Sequence, residues 1–133
     1  MQIQEFMTKN VVSVEPDDTL EQVKEIFDHT RFHHLLVVEK NRLLGVISDR
    51  DLLRNISPFV GSMHETSRDI STIRRRAHQT MSHHPITLGP EASVGDAVRI
   101  FQQHSISCIP IIDEHNHPVG IISWRDLLRF IPA

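Results

Sequence analysis

The chain has 133 residues, 39% of them hydrophobic, and a formal net charge of −3, which suits one compact domain or two small lobes and argues against a general nucleic-acid surface. Its single cysteine excludes an intramolecular disulfide framework, and no apolar run approaches the roughly 20 residues that span a bilayer. The N-terminus lacks the pattern of a signal peptide, so we expect a cytoplasmic protein with neither nucleic acid nor membrane as a partner.

The first predicted elements are a short strand and a helix. The strand is an apolar run from Val11 to Val14. After Pro16, Thr19 is a natural helix N-cap. The residues that follow it have the i, i+3, i+4 spacing of a half-buried helix. The apolar positions of this helix are Leu20, Val23, Ile26 and Phe27.

Two strands and a second helix complete the pattern. The strands run from Leu35 to Glu39 and from Leu43 to Ser48, and the polar turn between them has hairpin length. Helical spacing resumes at Asp49 and continues to Asn55. The order of elements up to residue 56 is therefore β-α-β-β-α.

The segment 57–77 has no counterpart elsewhere in the chain. Its first half has the serine, proline and glycine of a loop, and the stretch from Thr66 to Ala77 predicts a helix capped by Thr66 or Ser67. The run Arg74-Arg75-Arg76 is the only concentrated positive charge. We interpret it as a solvated surface, with contact to an anionic ligand or an acidic partner as the alternative.

The same order of elements returns in residues 78–133. An apolar run from Pro85 to Leu88 precedes the N-cap Ser93, and a helix with apolar positions at Val94, Ala97, Val98, Ile100 and Phe101 follows. Two strands and a final helix complete the second copy. Their predicted bounds are Cys108 to Asp113, Val119 to Ser123 and Trp124 to Phe130.

An internal duplication explains this recurrence. The segment Gly45–Arg54 returns 75 positions later as Gly120–Arg129, and the two match at every polar position except Asp49 and Trp124. The earlier parts of the copies align at a spacing of 74, which indicates one inserted residue in the turn near His115 to His117. We expect a mixed α+β fold, with repeats at 1–56 and 78–133 joined by 57–77.

Two shared motifs make the chain resemble the cystathionine-β-synthase (CBS) domain family. Both copies carry Gly-apolar-apolar-Ser-x-x-Asp, and both open with Met-[Thr/Ser]-x-x-[Val/Pro]-apolar. The resemblance covers about residues 1–56 and 78–131. It implies a stand-alone tandem pair, often called a Bateman module, whose repeats pack about an approximate two-fold axis with two clefts between them. It also implies a homodimer formed through helices.

The chemistry of Ser-x-x-Asp suits a nucleoside. A carboxylate can accept hydrogen bonds from the vicinal ribose hydroxyls, so Asp51 and Asp126 are the ribose candidates. Backbone amides and a short hydroxyl at the end of a strand can hold an anion or a sugar, and Ser48 and Ser123 lie at that place.

The resemblance also implies which residues contact the rest of the ligand. It assigns phosphate contacts to Arg50, Arg125, His33 and Ser107, and an apolar adenine slot to Val12, Ile86, Val46 and Ile121. The expected ligands are AMP, ADP, ATP or S-adenosylmethionine, with no resident cofactor, and whether Mg²⁺ accompanies a triphosphate stays open. Because the copies differ at His33 and Asp49, we expect unequal sites, and an unidentified protein partner would respond to the ligand.

Three other interpretations compete with ligand sensing. The Ser and Asp of each motif can simply cap a helix, which would leave a module that only dimerises or acts as a scaffold. His29 and His33 are spaced for a metal site, but no further ligand pattern accompanies them, so we predict no metal site. We also predict no catalysis, because Cys108 lies in an apolar run and no glycine-rich nucleotide loop is present.

Overall fold

The structure, a computed structural model, describes residues 1–129 and divides the chain into two compact units. The Asp51 unit comprises Val12–Glu39 and Leu44–His84. The Asp126 unit comprises Met1–Val11, Lys40–Leu43 and the chain from Pro85 onward. Each unit takes its name here from the carboxylate of its own Ser-x-x-Asp motif.

The Asp51 unit contains a four-stranded sheet of order β1-β2-β3-β4 and four helices. Strands β1 and β2 are parallel, and β3 and β4 are antiparallel. Strand β4 comes from the beginning of the second sequence copy. The elements are β1 Ser13–Val14, α1 Leu20–His29, β2 His34–Glu39, β3 Arg42–Ser48, α2 Asp49–Asn55, α3 Ser67–Ile73, α4 Ala77–Thr80 and β4 Ser82–His83.

Helix α1 begins where its capping residues predict. The Thr19 side chain accepts a hydrogen bond from the Gln22 N–H, and the Gln22 side chain accepts one from the Thr19 N–H. This capping box satisfies two backbone donors that the helix cannot. Leu20 and Val23 are fully buried in a core whose other buried members are Val14, Leu35, Val37, Ile47, Leu52, Ala77 and Met81.

The connection between β2 and β3 is a tight hairpin turn. Lys40 and Asn41 have φ of 50° and 63°, as the two central residues of a type I′ turn require. Asparagine tolerates this left-handed region better than other non-glycine residues do. The predicted hairpin is confirmed.

The predicted helix over residues 66–77 is interrupted. Thr66 is the N-cap, but α3 ends at Ile73 and α4 begins only at Ala77. Between them the Arg75 carbonyl accepts from the Leu20 N–H, and Ala77 donates to the Asp18 carbonyl. These tertiary hydrogen bonds replace the helical ones, so the chain runs extended through Arg76.

Up to residue 129, the Asp126 unit contains a two-stranded antiparallel sheet and two helices. Ile3, Ile109, Ile111 and Ile122 are fully buried in its core, together with Ala97 and Phe101. Phe130, the predicted end of the last helix, lies outside the described residues. The elements are a 3₁₀ turn Ile3–Glu5, α5 Val94–Gln103, β5 Cys108–Ile112, β6 Pro118–Ser123 and α6 Trp124–Leu128.

Isolated bridges extend this sheet on both sides. Leu88 pairs with Ile111 in parallel, and Thr8 pairs with Ile121 in antiparallel fashion. The run from Pro85 to Leu88, predicted as a strand, therefore supplies a single bridge. The Ile3 N–H also donates to the Ala92 carbonyl at 2.7 Å, so the beginning of the first sequence copy lies in the unit that contains Asp126.

The mixed α/β fold of the prediction is confirmed. Helices and sheets occur in both units. The Asp51 unit begins with the order strand, helix, two strands and helix, and the Asp126 unit shows helix, two strands and helix with the Leu88 bridge in place of the first strand. Within residues 1–129, no helix has the length and apolar character needed to cross a membrane.

Candidate ligand site

Ser48 and Asp51 form a capping box where β3 ends and α2 begins. The Ser48 Oγ accepts from the Asp51 N–H at 3.0 Å, and the Asp51 Oδ2 accepts from the Ser48 N–H at 2.9 Å. The other carboxylate oxygen, Oδ1, has no hydrogen-bond partner within residues 1–129. Asp51 is half-buried, so the box holds this carboxylate in one orientation while leaving an acceptor for a ligand.

His33 lies beside this box through Asp49. Its ring Nδ1 donates to the Asp49 Oδ2 at 2.8 Å, and its carbonyl accepts from the Asp49 N–H at 2.9 Å. Burial raises the pKa of the Asp49 carboxyl, but the hydrogen bond from His33 counteracts it. The Arg50 N–H and the nearby charges of His33 and His34 act in the same direction as that bond, so the pKa of Asp49 falls below 3.8.

We expect Asp49→Asn to destabilise the protein only at neutral pH. A carboxyl with a lowered pKa stabilises the folded state above its unfolded pKa of 3.8, and this stabilisation is lost as the pH falls through the lower folded value. The His33 and Asp49 side chains are 43% and 41% exposed, so solvent screening keeps the effect below about 1 kcal/mol.

Urea unfolding at pH 7 and at pH 3 measures this difference. Glu25→Gln on the exposed surface of α1 is the matched control, with no change expected at either pH. A destabilisation by Asp49→Asn that is as large at pH 3 as at pH 7 would show that the side chain acts through packing rather than charge.

Two first-turn amides of α2 have partners inside the chain. The Asp49 N–H donates to the His33 carbonyl, and the Asp51 N–H donates to the Ser48 Oγ. The anion contact expected of the backbone amides at this strand end remains a prediction. The Arg50 side chain is exposed in the same turn.

Of the two predicted adenine residues of the Asp51 unit, Val12 directly precedes β1 and Val46 lies within β3, the strand that ends at the box. The Val12 carbonyl accepts from the Leu36 N–H at 3.0 Å, and the Val12 side chain packs partly buried against the core. Val46 lies two residues before Ser48, is 7% exposed and pairs with Ser82 of β4. The structure thus brings Ser48, Asp51 and His33 together and places Val46 on the same strand as Ser48.

The second motif has the same box but a different setting. The Asp126 Oδ2 accepts from the Ser123 N–H at 2.9 Å and from the Ser123 Oγ at 3.2 Å. The Asp126 Oδ1 accepts from the Thr8 Oγ1 at 3.3 Å and lies 3.9 Å from a guanidinium nitrogen of Arg129. Asp126 is only 5% exposed, so both oxygens are engaged within the protein.

The remaining predicted residues of the Asp126 unit lie around its short sheet. Ser107 precedes Cys108, which pairs with Ser123. Ile121 exchanges two backbone hydrogen bonds with Thr8, of 2.8 and 3.0 Å. Ile86 is half-buried and Arg125 is exposed.

Sequence reasoning missed Asp49 and Thr8 as parts of the two sites. Asp49 stood out only as a mismatch between copies, with Trp124 at its counterpart. In the Asp126 unit the Trp124 ring packs against Phe101 with centroids 4.8 Å apart. Thr8 belonged to the repeated Met-[Thr/Ser] opening, but its contact with a residue 118 positions away is a matter of tertiary structure.

The arginine run and the histidines take other roles. The Arg76 guanidinium donates to the Asp17 carbonyl at 2.7 Å, and that of Arg75 to the Asn55 carbonyl at 3.5 Å. The spacing of His29 and His33 would place both on one face of a helix, but α1 ends at His29, so His33 lies beyond the helix. Within residues 1–129, no cluster of three histidine, cysteine or acidic side chains is arranged to hold a metal ion.

Related proteins share the sequence pattern over most of the chain. An uncharacterized protein of Methanocaldococcus jannaschii is 30% identical over 129 residues, which cover 97% of this chain and 43% of that protein. A CBS domain-containing protein of Dictyostelium discoideum is 26% identical, covering 97% of this chain and 90% of its own. The chain thus spans less than half of the archaeal relative and most of the Dictyostelium one.

Solved structures share the fold. A CBS domain pair in complex with 5′-methylthioadenosine and S-adenosyl-L-methionine superposes with a TM-score of 0.79 at 17% identity, over 97% of this chain and 94% of that one. CBSX2 in complex with AMP superposes with a TM-score of 0.79 at 23% identity, over 96% of this chain and 93% of that one. The cytosolic domain of the Mg²⁺ channel MgtE in complex with ATP superposes with a TM-score of 0.76 at 22% identity, over 98% of this chain and 48% of that one.

The family comparison agrees with the duplication, the shared motifs and the fold. The CBS domain family matches this chain twice, at residues 3–58 and 70–133. These two matches take in both Ser-x-x-Asp boxes and nearly all of the described elements. The chain therefore belongs to the CBS domain family and carries two CBS domains in tandem.

Proposed function

We propose that this chain is a non-catalytic regulatory module of the cytoplasm that senses an adenosine-containing ligand. The ligand class is AMP, ADP, ATP or S-adenosylmethionine, and the occupancy of the site is passed to a protein partner in trans. Self-association as a homodimer belongs to the same proposal. The chemistry of the Ser48-Asp51 box carries the proposal.

The orientation of Asp51 is the supporting observation. Its Oδ2 is held by the Ser48 N–H, while Oδ1 has no partner within residues 1–129. A carboxylate in a fixed orientation needs little reorganisation to accept from a ribose hydroxyl. Hydrogen bonds to a charged group contribute about 1.5–3 kcal/mol, which is a preference of about tenfold or more for a ligand that carries the hydroxyl.

The ligands of the similar structures support the class. The complexes that resemble this fold contain AMP, ATP, S-adenosyl-L-methionine and 5′-methylthioadenosine, and all four share an adenosine moiety with vicinal hydroxyls. We assign Arg50 and His33 as the groups that distinguish a phosphate tail from other tails. Any Mg²⁺ would enter with a triphosphate rather than as a resident ion.

Regulation requires that the ligand bind one conformation better than another. A tenfold difference in affinity between two conformations shifts their equilibrium by about 1.4 kcal/mol. A partner that recognises the favoured conformation then responds to the ligand. The position of Asp51 between a strand and a helix connects ligand contact directly to the packing of α2.

We expect one or more of these ligands to raise the melting temperature of the purified chain. Binding to the folded state alone stabilises it by about 2.7 kcal/mol when the ligand concentration is a hundredfold above Kd, which corresponds to several degrees in Tm. Asp51→Asn keeps an acceptor for the Ser48 N–H but removes the negative charge, so affinity should fall at least about tenfold. Differential scanning fluorimetry with each ligand at millimolar concentration makes the measurement.

Asp96→Asn is the matched control for Asp51→Asn. Asp96 forms the same capping box with Ser93 at the beginning of α5, but it lies outside the two repeated Gly-apolar-apolar-Ser-x-x-Asp motifs. Its replacement should leave the ligand-induced shift unchanged. Cooperative unfolding with no shift from any of the four ligands would reject the sensing proposal.

A scaffold that only self-associates is the second candidate. Both motifs serve as capping boxes regardless of a ligand, and Leu53 and Leu128 are 71% and 56% exposed at equivalent positions of α2 and α6. If the chain is only a scaffold, Asp51→Asn changes neither the ligand-induced shift in Tm nor self-association. If the chain is a sensor, Asp51→Asn removes the shift and leaves self-association unchanged. Sedimentation velocity on the fluorimetry samples measures self-association and so separates the two functions.

A further inference from the structure

The two Ser-x-x-Asp carboxylates differ in what they leave available. The Asp126 Oδ2 receives two hydrogen bonds from Ser123, and its Oδ1 receives the Thr8 hydroxyl. The Asp51 Oδ2 receives one bond from Ser48, and its Oδ1 receives none from residues 1–129. Equal motifs in the sequence are therefore unequal as acceptors for a ligand.

Thr8 occupies the place that a ribose hydroxyl would need at Asp126. Its Oγ1 is 3.3 Å from the Asp126 Oδ1, and its backbone is fixed to Ile121 of β6 by hydrogen bonds in both directions. Because Asp126 is only 5% exposed, a ligand hydroxyl would have to compete with the Thr8 hydroxyl for this oxygen.

The counterpart of Thr8 in the Asp51 unit makes no such contact. Ser82 pairs with Val46 as Thr8 pairs with Ile121, and Val46 and Ile121 hold the same place in the duplicated strands. Ser82 is exposed, and its hydroxyl has no hydrogen-bond partner within residues 1–129. The same backbone pairing therefore leaves Asp51 accessible and closes Asp126.

We propose that Thr8 closes the second motif, so that each chain binds one adenosine ligand, at Asp51. Asp126 is then a structural carboxylate that fastens the Met7-Thr8 segment to the beginning of α6. This inference rests on the proposed function for its ligand and refines it in stoichiometry.

Isothermal titration of the full chain with AMP, and separately with S-adenosylmethionine, tests the stoichiometry. We expect one equivalent per chain for whichever compound binds. Asp51→Asn should weaken binding at least about tenfold, and Asp126→Asn, which keeps an acceptor for Ser123, should change it by less than about twofold. Two equivalents, or a tenfold loss with Asp126→Asn, would overturn the inference while leaving the proposed function intact.

Thr8→Val and Ser82→Ala test the closure without any ligand. Removal of the Thr8 hydroxyl withdraws a donor from a buried carboxylate, so the melting temperature should fall by a few degrees, and Ser82→Ala should leave it unchanged. Thr8→Val should also bind AMP as the natural chain does. An unchanged Tm, or a tenfold loss of AMP affinity, would show that Thr8 serves another purpose.

These two tests separate the failure of the inference from that of the function. If neither compound binds the natural chain, the sensing proposal fails, and the Thr8 and Ser82 variants still decide whether Asp126 is closed. If Asp126→Asn does not fold, the stoichiometry of the natural chain and the behaviour of Thr8→Val decide the inference.

Discussion

Asp126→Ala is expected to lower the free energy of unfolding by about 2–4 kcal/mol, and Asp51→Ala by about 1 kcal/mol. Loss of the Asp126 carboxylate leaves the Ser123 N–H and the Thr8 hydroxyl without their acceptor. Buried donors that lose a partner cost about 1–3 kcal/mol each, and more when the bond is to a charged group. Loss of Asp51 removes one capping contact at a half-buried position, which costs about 0.5–2 kcal/mol.

Urea unfolding followed by far-UV circular dichroism compares the two variants under one condition. The single tryptophan, Trp124, lies in the Asp126 unit against Phe101, so its fluorescence reports on that unit in the same samples. If Asp51→Ala lowers the free energy of unfolding as much as Asp126→Ala does, or more, the different roles that we assign to the two carboxylates are contradicted.

Gly45→Ala should destabilise the protein by about 1–3 kcal/mol, more than Gly120→Ala does. A Cβ at position 45 would lie 2.6 Å from the Met81 sulfur and 2.7 Å from the Ser82 carbonyl oxygen. The carbonyl belongs to β4 in its pairing with β3, so it cannot withdraw without loss of strand pairing. Overpacking of this kind costs about 1–3 kcal/mol.

The second copy supplies the control. A Cβ at position 120 would lie 2.5 Å from the Met7 sulfur but 3.1 Å from the Thr8 carbonyl oxygen. A methionine side chain can rotate away, and Met7 is less buried than Met81, so the cost should be about 1 kcal/mol or less. Thermal and urea unfolding of both variants check the order.

The sign of the effect makes this comparison informative. Alanine usually stabilises a strand relative to glycine by roughly 0.5–1 kcal/mol, since glycine loses more backbone freedom on folding. Stabilisation by Gly45→Ala would therefore mean that β4 does not pack against β3 as described. Destabilisation would mean that the glycine of the repeated motif is required by the close approach of a neighbouring strand rather than by a turn.

Most elements of both copies were predictable because their signals are local. Thr19 and Ser93 are the N-caps of α1 and α5 as predicted, and the predicted strands agree to within a few residues except the run Pro85 to Leu88, which supplies only the Leu88 bridge. The helix predicted through residue 77 failed, because the backbone around Arg75 bonds to Leu20 instead of continuing its own turn. The Leu20 N–H, far away in sequence, takes the Arg75 carbonyl as its acceptor, and this tertiary hydrogen bond outweighs the local helix propensity.

The candidate site was predictable only in part. The motif identified Ser48 and Asp51 as neighbours, and the capping box confirms that they are in contact. The ligand roles of the predicted residues remain predictions. The repeat boundaries 1–56, 57–77 and 78–133 remain those of the sequence duplication, whereas the compact units exchange the segments that open each copy.

By itself, the sequence determined the duplication, the order of elements and the family. Cap residues, apolar spacing and turn residues act over a few positions, so they can be recognised from the sequence without the tertiary structure. The tertiary structure decided which carboxylate is closed. Thr8 meets Asp126 across 118 positions, whereas the equivalent Ser82 leaves Asp51 without such a donor. Burial and partner depend on packing between distant segments, and identical motifs therefore acquired different chemical roles.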